Sequence, residues 1–376
     1  MTYLIGTDEA GYGPNLGPLV ISATVWQVPE GVRAEGLYER LPGIVTADGR
    51  VGRAKRVPPA AEGSAVRVHG SGFRVQGSGF RVQGSEPGRV GPGVSGIQAP
   101  DVTAGGGCAT MPVAIADSKR LYHSGKGIGP LERGVLAMLR VLGHRPAAWR
   151  AVFDALAPGA MEKCVSIPWY DGYDEPVPLE ADPAEHDRAA RAVAKGLAAA
   201  GVELVAMRSR AIFEDEFNDL VQRHPSKGAV LSHETLRLVR QVVEPMGNGP
   251  IHVLCDKHGG RNAYRELLEE AFPGCLIEIC GEGREQSLYR FGPADRRIEI
   301  RFRAKAESHL PAALASMASK YLRELAMRAF NRFWGGRVPG LAPTAGYPVD
   351  ALRFRDAIAA ARAELGIPDR LLWRSK

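Results

Sequence analysis

The chain has 376 residues, 45% of them apolar and 24% charged, with a formal net charge of +6. That composition fits a globular protein of one large or two ordinary domains, and no stretch approaches the roughly 18–20 consecutive apolar residues of a membrane span. The first residues run into an apolar strand pattern followed by acids, not the basic-then-apolar pattern of a secretory leader, so a cytoplasmic protein without a membrane partner is expected. Five cysteines, Cys108, Cys164, Cys255, Cys275 and Cys280, have neither metal-ligand spacing nor an even count, which argues against a zinc site or a disulfide framework. The basic charge is uneven. Residues 51–107 hold seven Lys or Arg against three acids, so they carry +4 of the +6 and the rest of the chain is close to neutral.

Tyr3, Leu4 and Ile5 read as a strand, and Leu19 to Trp26 as a second. Between them lie Asp8 and Glu9, then Gly11, Gly13, Pro14, Gly17 and Pro18, a turn-forming cluster. A strand that breaks at Asp8 lets both carboxylates converge, and two such groups repel unless a cation or a proton lies between them. A divalent metal is the expected guest. A short helix is expected around Glu35 to Arg40. Residues 45–107 change character: Gly-Ser-Gly-Phe-Arg-Val-Gln occurs at 70–76 and again at 77–83, with Gly and Pro abundant and large apolar side chains sparse. Such a tract cannot bury enough surface to offset its ordering entropy and is expected to be an insertion, disordered or loosely extended.

Order is expected to resume at Met111, leading to Asp117-Ser118-Lys119 and a helix from Gly129 to Leu142. Helices are also expected over Ala147–Leu156 and Asp187–Ala200, with a loop from Ser166 to Asp182 between them. A strand follows at Val202–Arg208, then helices over Arg210–Val221 and Leu231–Val243. Ile251 to Cys255 is a buried-type strand whose tip is Asp256, followed by Lys257, His258, Gly259 and Gly260. An acid there faces the end of the sheet where ligands gather. A helix over Asn262–Phe272, a strand over Leu276–Cys280 and a hairpin, Gln286–Phe291 with Ile298–Arg303, come next. Leu310, Leu314, Met317, Tyr321 and Leu325 then make one face of a helix, with Glu307 at its start. Tyr347 and an amphipathic helix from Asp350 to Leu365 precede the ending Leu-Leu-Trp-Arg-Ser-Lys.

Read together, Asp8-Glu-Ala-Gly-Tyr-Gly-Pro14, Asp117-Ser-Lys119, the strand ending in Asp256, Lys305-Ala-Glu-Ser308 with Pro311, Ala312, Ser316 and Lys320, and Gly346-Tyr347 resemble the signature of the type 2 ribonuclease H family, in both its HII and HIII branches. The chain departs from the HII pattern at Tyr12, where that branch carries Arg, at Lys257, where Gly is usual, and at Glu307, where Asp is usual; the HIII branch also lacks that Arg and uses Glu in its acidic set. The resemblance implies an α/β ribonuclease H-like fold, a central mixed β-sheet flanked by helices with a C-terminal helical part. On this reading 1–44 and 108–306 form a discontinuous catalytic core, 45–107 the insertion, and 307–376 the C-terminal part completing the substrate groove.

The resemblance further implies that Asp8, Glu9, Asp256 and Glu307 bind two Mg²⁺ or Mn²⁺ ions, a hard-oxygen set suited to those metals. Gly11, Tyr12, Gly13, Lys119, Lys320 and Tyr347 would contact the substrate, an RNA–DNA hybrid or a DNA duplex with embedded ribonucleotides. The expected activity is hydrolysis to a 5′-phosphate and a 3′-hydroxyl by a monomeric enzyme. The rival expectation is a nucleic-acid-binding protein on the same fold that does not cleave. Clustered acids facing a polyanion speak against that rival.

Overall fold

The computed structural model describes residues 1–49, 111–122 and 127–375. Two strands, β1 (Thr2–Ala10) and β2 (Leu19–Val28), pair antiparallel and alternate with period two. Leu4, Val20, Trp26 and Val28 enter one apolar cluster, while Ile5, Leu19, Ile21, Ala23 and Val25 enter another on the opposite face. Both faces of the sheet are therefore covered, and the near-continuous apolar run of β2 follows from that. Short strands β3 (Val45–Thr46) and β4 (Val113–Ala114) pair with each other in parallel. The remaining strands are β5 (Glu203–Ile212), β6 (Ile251–Cys255), β7 (Glu278–Glu282), β8 (Gln286–Phe291) and β9 (Ile298–Arg303).

The seven-stranded sheet has the order β5-β2-β1-β6-β9-β8-β7. β1, β6 and β9 run parallel at its centre, and the flanking pairs are antiparallel. One face is covered by the 26-residue helix Leu310–Gly335, called the long helix below, with Gly129–Val141 and Trp149–Leu156 beside it. The other is covered by Lys227–Val243 and Arg265–Ala271. The helices Pro348–Ala357 and Ala359–Glu364 follow the long helix. This mixed sheet with helices on both faces and a C-terminal helical part is the ribonuclease H-like architecture the resemblance implies. No helix among the described residues is long and apolar enough to cross a membrane.

Several local expectations are corrected. Arg210 begins no helix: β5 continues to Ile212, because its pairing with β2 reaches Leu19, and the helix starts at Glu214, where three successive acids suit a helix N-terminus. Lys227–Val243 starts four residues earlier than the apolar stripe predicts, since the Ser226 hydroxyl caps it by accepting from the Ala229 N–H at 3.2 Å. The helix expected over Asp350–Leu365 is two helices meeting at Ile358. The expected insertion lies outside the described residues apart from 45–49, where Val45 and Thr46 form β3, fixed by Val113 N–H donating to Ile44 O at 2.9 Å. The repeats at 70–83 and Cys108 also lie outside them. Cys255 is a buried thiol whose pKa burial pushes up to about 12, in keeping with an inert core cysteine.

Candidate active site

The site forms where the central parallel strands end. β1 and β6 pair in register from Tyr3 and Ile251 to Thr7 and Cys255, so Asp8 and Asp256 are the next residues of two neighbouring strands. β1 does not break at Asp8, as the sequence suggested. It stays paired with β2 to Ala10, Asp8 opposite Ser22 and Glu9 opposite Ile21, and the turn comes at Gly11, whose φ is +89°. With β6 finished at Cys255, the β1 edge carrying both acids is open toward Asp256.

Glu307 arrives from the other side, on a single 3-10 turn, Ala306–Ser308, between β9 and the long helix. Lys305 just before it has φ +63°, a left-handed backbone unusual for a side-chain-bearing residue and costing about 1–2 kcal/mol. Beside this turn, the backbone amides of Lys257, Ala306 and Lys305 favour the ionised Asp256 carboxylate. The long helix then crosses β1 at Gly6. A methyl group there would overlap Ala312 N and Pro311 C and stand 2.7 Å from Ala312 Cα, so only glycine permits the approach. The approach brings Ser316 near the Asp8 carboxylate, whose ionised form it favours, while the Ser316 hydroxyl donates to Ser118 Oγ at 3.0 Å.

Asp256 and Glu307 act on Asp8 and Glu9, and Asp256 acts on Glu307. Burial holds Asp8 well above the usual range, Glu9 pushes it further, and Asp256 and Glu307 add to this, with Ser316 opposing. Glu9 rises from 4.5 to about 7, through burial and then Asp256, with Lys119 opposing. Burial also raises Asp256, which backbone N–H groups partly offset, and raises Glu307, with Asp256 and Asp117 contributing. For Lys119, burial pulls the pKa down, but Asp117, Asp8, Glu307 and Asp256 together outweigh it and raise it. Lys119 thus stands among the acids on an exposed helix start, where the Asp117 carboxylate caps its N–H at 3.0 Å.

Asp256 Oδ1 and Glu307 Oε2 are buried with no hydrogen-bond partner. Such orphaned oxygens beside mutually repelling acids fit a divalent cation, and every donor is a hard oxygen. Among the described residues, no three His, Cys, Asp or Glu side chains form a ready-made metal-ligating group.

The other residues singled out in the sequence divide. Tyr12 leans from the glycine turn against the start of Lys227–Val243 and the loop after β6, so that a methyl at Gly228 or Gly259 would lie 3.5 or 3.7 Å from its hydroxyl. It borders a cavity of about 500 Å³ whose basic lining residues are Lys227 and Arg261. Gly13 is exposed, with the Tyr347 ring 4.0 Å from where its Cβ would be, and Tyr347 itself is 56% exposed. Lys320 lies apart from this group of residues: it donates to Glu324 at 2.6 Å and sits 4.8 Å from the centre of the Tyr122 ring.

Three residues that sequence reasoning missed hold the 11–18 loop from beneath. The Arg374 guanidinium donates to Gly11 O at 2.6 Å and also to Pro14 O. Arg323 donates to Pro18 O at 2.6 Å and Leu16 O at 3.0 Å. The Glu214 carboxylate accepts from Gly17 N–H at 2.7 Å. All three are buried. Arg374 was legible only as part of a basic ending, and Arg323 as one charge on a helix.

No protein-family model and no curated protein matches the chain. Among solved structures it is similar to ribonuclease H2 from Pyrococcus horikoshii OT3, at 12% identity over 98% of this chain and 92% of that chain, with a TM-score of 0.40. It is also similar to a structure of the PCNA:RNase HII complex from Archaeoglobus fulgidus, at 12% identity over 99% and 94%, TM-score 0.35. A third is Bst-RNase HIII in complex with Mn²⁺, at 14% identity over 99% and 66%, TM-score 0.36.

Proposed function

We propose that this protein is a divalent-metal-dependent endonuclease that cuts at ribonucleotides, in RNA–DNA hybrids or embedded in duplex DNA, leaving a 5′-phosphate and a 3′-hydroxyl. One observation supports the reading: Asp8, Glu9, Asp256 and Glu307, from three separate segments, lie near the ends of the central parallel strands, where the charges of Asp256 and Glu307 raise the pKa of Asp8 and Glu9. Acids that repel one another in this way are relieved by protonation or by a bound cation, and a divalent ion relieves several at once.

Those four residues would hold two Mg²⁺ or Mn²⁺ ions, which, when bound, supply an acidified water and charge stabilisation at the phosphate. The chain does the rest. Ser316 beside Asp8, and the amides of Lys257, Ala306 and Lys305 beside Asp256, favour the ionised carboxylates. Lys119, cationic beside the acids, holds a substrate phosphate against them. The Gly11-Tyr12-Gly13 backbone meets the sugar, where a 2′-hydroxyl distinguishes RNA from DNA. The exposed Tyr347 ring stacks on the nucleotide beside it.

The test is nicking of end-labelled DNA duplexes holding one ribonucleotide or a run of four, in Mg²⁺, Mn²⁺ or EDTA, beside an Asp8→Asn variant. Metal-dependent nicking next to the ribose, lost in the variant, is the expected result. Duplex binding with no nicking in either metal would replace the enzyme with the non-cleaving binding protein.

A further inference from the structure

The loop from Gly11 to Pro18 contains two prolines and two glycines with positive φ, and its shape is imposed from below. Four of its eight carbonyls, those of Gly11, Pro14, Leu16 and Pro18, accept from the two buried arginines. The residue 374 backbone joins the same contact. Its N–H donates to Asn15 O at 2.9 Å, and the Asn15 side-chain amide returns a bond to Arg374 O at 3.3 Å. Asn218 locks the segment in place, donating to Trp373 O at 2.9 Å and accepting from Ser375 N–H at 2.6 Å.

Arg374 is a costly choice for that position. It is fully buried, its Nε and Nη1 have no partner, and its nearest countercharge is Glu214, whose Oε2 is likewise unpartnered. An apolar side chain of similar volume is usually at least as stable in such a place. What the guanidinium adds is direction. In a trans peptide the C=O and the following N–H point opposite ways. With Gly11 C=O drawn inward to Arg374, the Tyr12 N–H is turned outward, three residues beyond Glu9. The same geometry is visible one step on: Pro14 C=O faces Arg374, and Asn15 N–H donates away from it, to Gly346 O at 2.8 Å.

We propose that Arg374 is a positioning residue for sugar selectivity: with Glu214 as its countercharge it fixes the Gly11–Tyr12 peptide so that this N–H meets the 2′-hydroxyl of a ribonucleotide. The proposal rests on the ribonucleotide-cutting reading above, and its test separates the two. Full-length wild type, Arg374→Met and Arg374→Lys are compared in two measurements. The first is hydrogen exchange of peptides spanning residues 10–18, without nucleic acid. The second is the ratio of duplex affinities, in EDTA, for one ribonucleotide against one deoxyribonucleotide at the same place.

Arg374→Met is expected to speed loop exchange at least tenfold, leave exchange in the sheet unchanged, and reduce the wild-type ribose preference about tenfold. Arg374→Lys, which keeps the charge but not the planar fork, is expected to fall between them. If Arg374→Met fails to fold, Glu214→Gln with Arg374→Met removes both buried charges and is read in the same way. A variant that keeps the ribose preference, or whose loop exchanges as in wild type, overturns the proposal and leaves the nuclease reading standing. A wild-type protein with no ribose preference overturns the proposal too, while the nuclease reading falls only if the nicking assay fails.

Discussion

Gly6→Ala tests whether the site depends on the close crossing of β1 by the long helix. The added methyl would overlap Ala312 N and Pro311 C and lie 2.7 Å from Ala312 Cα. Carbon atoms in contact stand about 3.5–4.0 Å apart, so the first turn of the helix must retreat by about 1 Å. Nothing flexible absorbs that. The opposing atoms are backbone, and Thr24 Oγ1 donates to Pro311 O at 2.7 Å from the neighbouring strand. Overpacking of this kind costs about 1–3 kcal/mol, a loss of roughly 3–10 °C in Tm for a domain of this size. The functional loss is expected to be larger. The helix carries Ser316 to Asp8 and begins just after Glu307, and a misplacement of about 1 Å in a site costs on the order of 100-fold in rate. Thermal unfolding by circular dichroism and the nicking assay measure the two effects. Gly281→Ala, where a methyl meets nothing within 4 Å, is the control and is expected to change neither. A Gly6→Ala protein with wild-type Tm and rate would refute the argument.

Two further outcomes concern titration. Glu9 ionises at about 7 in the fold against an ordinary 4.5, so folding favours its protonated form. Its contribution is full below pH 4.5 and is lost as pH rises through 7, at most about 3 kcal/mol without metal. A divalent cation removes that loss, so the gain in Tm on adding Mg²⁺ or Mn²⁺ is expected to be small at pH 5, large at pH 8 and reduced in Glu9→Gln. An equal gain at both pH values would contradict the proposed site. His186 behaves oppositely. It is buried with neither ring nitrogen bonded, and burial lowers its pKa to about 4, so the unfolded chain takes up the proton first and stability falls as pH drops below 6.5. His186→Leu is expected to stabilise the protein by about 1 kcal/mol at pH 7 and by more at pH 5, read as a flatter acid limb in denaturant titrations. A steeper limb would show that the imidazole is bonded in solution.

The sequence made the sheet and the acids legible because both follow from local pattern. Period two in β2 placed its residues on two faces, and the acid at the tip of β6 could be read without knowing the neighbouring strand. What was not legible depends on contacts distant in sequence. The extension of β5 to Ile212 comes from pairing with Leu19, nearly two hundred residues away. Glu132 is buried, and its carboxylate accepts from the N–H groups of Leu179 and Glu180, at 2.7 and 2.9 Å, and from the Tyr321 hydroxyl at 3.0 Å. It thereby ties the end of the loop from Ser166 to Asp182 to the core. Arg374 belongs to the same class: a charge near the end of a chain gives no local sign that it will be buried under a loop more than 350 residues earlier.

The departures from the family signature look different once placed. Lys257 follows Asp256 in sequence but turns away from the acids: its ammonium donates to Asn262 Oδ1 at 2.7 Å, Gly283 O at 2.5 Å and Arg261 O at 3.3 Å. It braces a loop and does not occupy the position of a cation between the carboxylates. Glu307 is longer than the usual Asp by one methylene, and its turn is built for that length. Lys305 is held left-handed, Ser308 N–H and Oγ both donate to Lys305 O, at 3.1 and 2.8 Å, and the carboxylate ends with Oε2 buried and unpartnered. If the turn were merely a tolerated variation, Glu307→Asp would raise nicking by restoring the commoner acid. The fixed backbone argues the reverse. Removing one carbon–carbon bond withdraws the carboxylate by about 1.5 Å, and a turn locked at Lys305 cannot follow, so nicking is expected to fall by on the order of 100-fold while Tm changes little. An Asp variant at least as active as wild type would mean that Glu307 is an ordinary helix-start acid and that the site is completed by another residue.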